Sequence, residues 1–297
     1  MSVGPILIRI FAAVVAIILP FPVAQYFHQN HGSPWSLFRW GCLTFIISQV
    51  LHLPFNAIIL RTVGLKGTEL PHSVMELVYL SIFLGLSAGL FEECTRYLAY
   101  RYRLTSPADR TFRSALMFGL GHGGVESILL VGLGGMAQLI AMSYLQHGDL
   151  ESKGIPADQV KLLQAQIDAY WSIPWYGVLV GDLERVFAIT AHIAMTILVL
   201  QAFRHPRGGI LWLLAAISWH AGLDFTAVFL TVKYNPFIAE IVIGLWALAS
   251  FGMILYFSFQ EECSHLYMEI GHAADSSGED TTTAEATSSE FERRPDE

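Results

Sequence analysis

Charge is scarce in this chain. Asp, Glu, Lys and Arg make up 14% of its 297 residues, against 54% hydrophobic, which is too little to coat a water-soluble globule of this size. Cysteine is scarcer still: Cys42, Cys94 and Cys263 lie far apart, which excludes a disulfide framework and a paired CxxC metal site. HExxH is absent, and with it the best-known zinc protease motif. The first apolar segment, ILIRIFAAVVAIILPFPVAQYF, has no basic leader and no good small-residue cleavage site, so it reads as a membrane helix kinked at Pro20 and Pro22 rather than as a signal peptide.

The acidic excess is confined to one end. The net charge is −8, but the segment after Phe259 holds eleven Asp and Glu against Arg293 and Arg294, a balance of −9, so the body is near +1. Residues 260–297 lack the apolar content that offsets ordering entropy and are expected to form an acidic disordered tail. Residues 1–259 are expected to form one multi-pass membrane domain.

What the chain has in quantity is apolar sequence. Stretches of roughly 20 residues, enough to cross a bilayer, recur at about 5–27, 35–60, 74–101, 112–146, 175–203, 209–231 and 237–259. The expected fold is an all-α integral membrane protein, a polytopic bundle of about seven helices. The fourth stretch is interrupted by GLGHGG and GLGG and reads as one long bent helix or as two pieces, the latter giving eight spans. Arg101, Arg103, Arg110 and Arg113 in one loop and Arg204 and Arg207 in another place both loops in the cytoplasm by the positive-inside tendency. With seven spans the N-terminus then lies outside and the tail inside. The outer loop carries Val160, Leu163, Ile167 and Tyr170 on one face of a short amphipathic helix after Pro156.

Ionisable groups in the bilayer core are costly, at least about 2.5 to 3.5 kcal/mol each on insertion scales, and so point to function or pairing. Here they form four groups: Glu92, Glu93 and Arg96; His122 and Glu126; Asp182, Glu184, Arg185 and His192; His220 and Asp224. Counting about 1.5 Å per residue from the basic loops brings Glu92, His122, His192 and His220 to a similar depth on four helices. Glu92 with Arg96, His122 with Glu126, and His220 with Asp224 are i, i+4 pairs on single helical faces. The spacing leaves open which of Glu92 and Glu93 Arg96 holds ionised and which is freed as a general base. Glu126 reads either as orienting His122 or as pairing with Arg185, and Asp224 as fixing the His220 tautomer. The glycines around His122 fit close approach by a substrate or a neighbouring helix. Asp182, Glu184 and Arg185 read mainly as structural ion pairing.

The motifs EECTR, FGLGH followed by GGVE, AHI and WHAGLD, in that order over about 85–225, resemble the superfamily that joins the CAAX-processing and bacteriocin-processing intramembrane proteases, the PrsW proteases, the YhfC family and the gamma-secretase scaffold subunit. The YhfC pattern is nearest. The resemblance implies an intramembrane endopeptidase with Glu92 or Glu93 as base, Arg96 as its partner, His122 and His220 as polarising or ligand groups, and Asp224 supporting His220. Aspartate stands at 224 where CAAX-processing members often have asparagine.

The residues admit two chemistries. In one, a carboxylate activates water and an imidazole stabilises the oxyanion; in the other, His122, His192 and His220 ligate Zn²⁺. The expected partners are membrane lipid and a membrane-anchored peptide or protein substrate, with no nucleic acid. A non-catalytic scaffold subunit and a proton-coupled transporter are the alternatives, since buried Glu, His and Asp also serve as structural glue and as proton relays.

Overall fold

The computed structural model describes residues 3–63, 71, 73–205 and 207–291, and among these no strand occurs. The helices are α1 (Gly4–Ile18), α2 (Pro20–His31), α3 (Trp35–Thr62), α4 (Val74–Tyr102), α5 (Phe112–Glu126), α6 (Gly134–Leu145), α7 (Ala157–Ser172), α8 (Trp175–Arg204), α9 (Gly209–Lys233) and α10 (Pro236–Phe291). Seven helical paths are long and apolar enough to cross a membrane. The protein is an all-α polytopic membrane protein.

Local chemistry explains most boundaries. Ser73 caps α4 by accepting the Glu76 N–H, and Thr111 caps α5 by accepting the Ser114 N–H, each at 3.1 Å. The break between α1 and α2 falls at Leu19, where Pro20 has no N–H to give the Ala16 carbonyl. That carbonyl instead accepts the Ser127 hydroxyl at 2.9 Å, which satisfies it where no water is at hand. Ser127 opens a π-helical turn, Ser127–Leu133, that joins α5 to α6. The fourth apolar stretch is therefore one helical path, Phe112–Leu145, which favours seven spans over eight.

The short helix α7 turns Ile167 inward at 2% exposure, with Val160, Leu163 and Tyr170 half-buried beside it, on the face expected from the sequence. The two basic loops lie at one end of the bundle. Arg204 donates from Nε and Nη2 to the Arg110 carbonyl at 3.1 and 3.0 Å, and Arg110 in turn donates to the Tyr100 and Leu104 carbonyls.

The chain divides into two compact units, residues 1–254 and 255–297. From residue 260 the described backbone continues α10 to Phe291. No proline stands between Pro236 and Pro295 to stop the helix. Residues 292–297 of the expected tail lie outside the described residues.

Glycines set the close helix contacts. A Cβ on Gly85 or Gly89, a GxxxG pair in α4, would strike the Ala221 or Ile217 carbonyl of α9 at 2.5 and 2.8 Å. A Cβ on Gly41 of α3 would collide with the Phe118 carbonyl of α5, and one on Gly121 of α5 with the Phe38 carbonyl of α3. Gly119 and Gly123 receive α8 at Ile193 and His192 in the same way. The glycines around His122 thus serve neighbouring helices.

Candidate catalytic and metal site

Each close contact places a polar side chain about one turn away. Beyond Gly89, Glu93 meets His220, whose Nδ1–H donates to Glu93 Oε1 at 2.8 Å. Three residues beyond Gly41, the Thr44 hydroxyl lies 2.9 Å from His122 Nδ1. Gly123 lets α8 bring His192 beside His122, with ring centroids 5.2 Å apart, and His192 lies 5.4 Å from His220. Glu92, Glu93, Arg96, His122, His192 and His220 are all buried, with Glu93, Arg96 and His122 at 0% exposure.

Donor counting fixes the tautomers. The Thr44 hydroxyl donates to the Gly41 carbonyl at 2.7 Å, so it accepts from His122 Nδ1–H. His122 Nε2 is left with a lone pair that faces Glu92 Oε2 at 3.0 Å. The other oxygen, Glu92 Oε1, accepts from Gln49 Nε2 at 2.9 Å. Glu126 accepts from His192 Nε2–H, so His192 Nδ1 carries the lone pair, and Arg96 Nη2 donates to it at 2.6 Å. His220 donates from Nδ1 to Glu93, which turns its Nε2 toward Glu92 Oε2 at 3.9 Å. Each imidazole is thus held from behind by an acceptor, Thr44, Glu126 or Glu93; the other nitrogen faces Glu92 in His122 and His220, and Arg96 in His192.

Arg96 makes the choice that the i+3 and i+4 spacings leave open. It pairs directly with Glu93 and lies 3.9 Å from Glu92 Oε2. Glu92, and not Glu93, lines a cavity of about 230 Å³ together with His52, Glu126, Arg185, His192 and His220.

Of the two readings of Glu126, the structure has the pairing with Arg185, whose Nη1 donates to it at 3.0 Å; its other oxygen binds His192, not His122. Asp224 lies 3.6 Å from His220 Nε2, while Glu93, not Asp224, fixes the His220 tautomer. Arg185 also pairs with Glu184, whereas neither carboxylate oxygen of Asp182 has a partner.

Thr44, Gln49 and His52 of α3 complete the site. Thr44 and His52 carry a signal in the sequence, since Thr44, Ser48, His52 and Asn56 recur every four residues along α3, a polar stripe in an otherwise apolar helix.

The donor set fits a metal ion. Ligand atoms of Glu92, His122 and His192 lie within 4.8 Å of one another and are buried, and two imidazole nitrogens with one carboxylate oxygen form a known catalytic zinc set. His220, expected as a ligand, stands beside this set rather than in it.

The profile of the family described as YhfC intramembrane metalloprotease matches residues 14–243. The chain belongs to the YhfC family. It is 30% identical over 215 residues, 72% of this chain and 80% of the relative, to the uncharacterized membrane protein YhfC of Bacillus subtilis (strain 168). No solved structure matches. The matched region takes in all four groups of ionisable residues, from Glu92 to Asp224.

Proposed function

We propose that this chain is an intramembrane endopeptidase that hydrolyses peptide bonds of membrane-associated substrates in the cavity at Glu92. The observation that carries this reading is the approach of two acceptors, Glu92 Oε2 and the His122 Nε2 lone pair, at 3.0 Å. Two lone pairs face each other there only with a cation between or beside them, either a proton or a metal ion. A locus that holds a cation between a buried carboxylate and an imidazole is equipped for hydrolysis.

Glu92, His122 and His192 would hold the metal. Bound there, Zn²⁺ supplies Lewis acidity and a water acidic enough to ionise near neutral pH. The chain's own groups do the rest. Gln49 fixes one oxygen of Glu92, and Thr44 and Glu126 fix the imidazoles. The Glu93 and His220 pair has an orienting carboxylate behind the imidazole. His220 Nε2 faces the cavity to take a proton from water and return it to the leaving amide nitrogen.

A second reading rests on Arg96, whose Nη2 covers the His192 Nδ1 lone pair. In it no metal binds, Glu92 takes the water proton, and His122 and His220 stabilise the oxyanion.

The test is reconstitution in detergent with a library of transmembrane peptides, products read by mass spectrometry. We expect products from the native chain and their loss with Glu92→Gln. Identical product lists from the two would end the proteolytic reading. Elemental analysis separates the two chemistries: a bound metal lost with His122→Ala supports the first, and full activity in metal-free protein supports the second.

The loops bearing Arg101, Arg103, Arg110, Arg113, Arg204 and Arg207 are assigned to the cytoplasmic side, which puts the N-terminus outside.

A further inference from the structure

The site cavity, at about 230 Å³, falls below the roughly 300 to 1,000 Å³ of pockets that engulf a small ligand. It holds the atoms around one peptide bond, so the flanking chain of any substrate must lie elsewhere. On the membrane-facing side of α8 and α10 runs a second, apolar groove of about 550 Å³, walled by Leu183 and Phe187 of α8 and by Phe237, Ile241 and Gly244 of α10. Gly244 leaves it open, because a Cβ there would already touch the Phe187 ring at 3.4 Å. The groove and the cavity are back to back. Leu183 lines the groove and Glu184 the cavity, while Ile241 lines the groove and Ile243 the cavity.

On either side of this seam stand two carboxylates, Glu240 of α10 lining the groove and Glu184 of α8 lining the cavity. One oxygen of Glu240, Oε2, is buried and has no hydrogen-bond partner. A lipid chain has no donor for it. A peptide segment unwound within the bilayer does, because its freed backbone N–H groups need acceptors that lipid does not supply.

We propose that the seam between α8 and α10 is the lateral portal through which an unwound, membrane-embedded peptide segment reaches the site, lying in the apolar groove with a backbone N–H on Glu240. The proposal rests on the proteolytic reading but is tested apart from it. Full-length protein carrying Glu92→Gln is placed in phosphatidylcholine vesicles, with p-benzoylphenylalanine incorporated at Phe187 or Leu245 in the groove, or at the membrane-facing controls Leu86 and Ile140. The probe is a leucine and alanine peptide of about 20 residues with a central glycine and proline pair.

Peptide labelling from the groove should exceed that from the controls roughly tenfold, the equivalent of about 1.4 kcal/mol of preference. It should fall severalfold with Gly244→Trp, which fills the groove, and with Glu240→Ala, which removes the acceptor. Equal labelling at groove and control, or capture of acyl chains in place of peptide in the groove, overturns the proposal. Groove labelling in the absence of any cleavage by the native chain would leave the portal standing and remove the peptidase.

Discussion

At the scale of the residue, neighbours in sequence take opposite parts. Glu93 is committed to Arg96 and His220, whereas Glu92 turns toward the cavity. Glu92→Gln should remove the bound metal if Glu92 is a ligand, or lower peptide hydrolysis by about 10²- to 10⁴-fold if Glu92 takes the water proton, and in either case lower thermal unfolding in detergent less than Glu93→Gln does. Glu93→Gln should lower stability as well as activity, because Glu93 also orients His220. It strands the fully buried Arg96, and the loss of one partner of a buried ion pair costs about 3 to 5 kcal/mol, to be seen as a lowered unfolding temperature. Equal stabilities for the two variants would contradict the partition.

At the scale of the element, the site depends on helix backbones coming close enough for short polar side chains to meet. Gly41→Ala drives a methyl group into the Phe118 carbonyl; overpacking of this kind costs about 1 to 3 kcal/mol and should also pull Thr44 off His122. Gly252 of α10 has nothing within 4 Å of its Cβ position, so Gly252→Ala should stabilise that helix by about 0.5 to 1 kcal/mol. Thermal unfolding of both variants in one detergent checks the contrast. These contacts explain what sequence reading reached and what it missed. The level of Glu92, His122, His192 and His220 followed from counting rise per residue, because helices in a bilayer run nearly parallel. Which side chain meets which did not follow, because rotation about each helix axis is set by contacts such as Gly89 against Ile217. That is why the i, i+4 pairing of His122 with Glu126 gave way to a pairing across helices with His192. The GxxxG of α4 and the four-residue stripe of α3 were visible signals of those rotations.

At the scale of the whole molecule, apolar length alone was enough to mark the seven membrane paths, and many large apolar side chains face outward, among them Leu7, Phe11, Leu86, Ile140 and Ile241, as a lipid solvent requires. An odd number of crossings puts the two ends on opposite sides. A reporter that fluoresces only in the cytoplasm should light when fused after residue 297 and stay dark before residue 1; signal from both fusions would mean an even number.

The π turn at Ser127–Leu133 has a historical consequence. Its hydrogen bonds close over one residue more than those of an α-helix, so it is the trace that a single-residue insertion would leave in an ancestral continuous helix. In an alignment, relatives that kept the plain helix should show a one-position gap between 127 and 133. They should also have a differently turned α6, and a different partner for the carbonyl that Ser127 now satisfies.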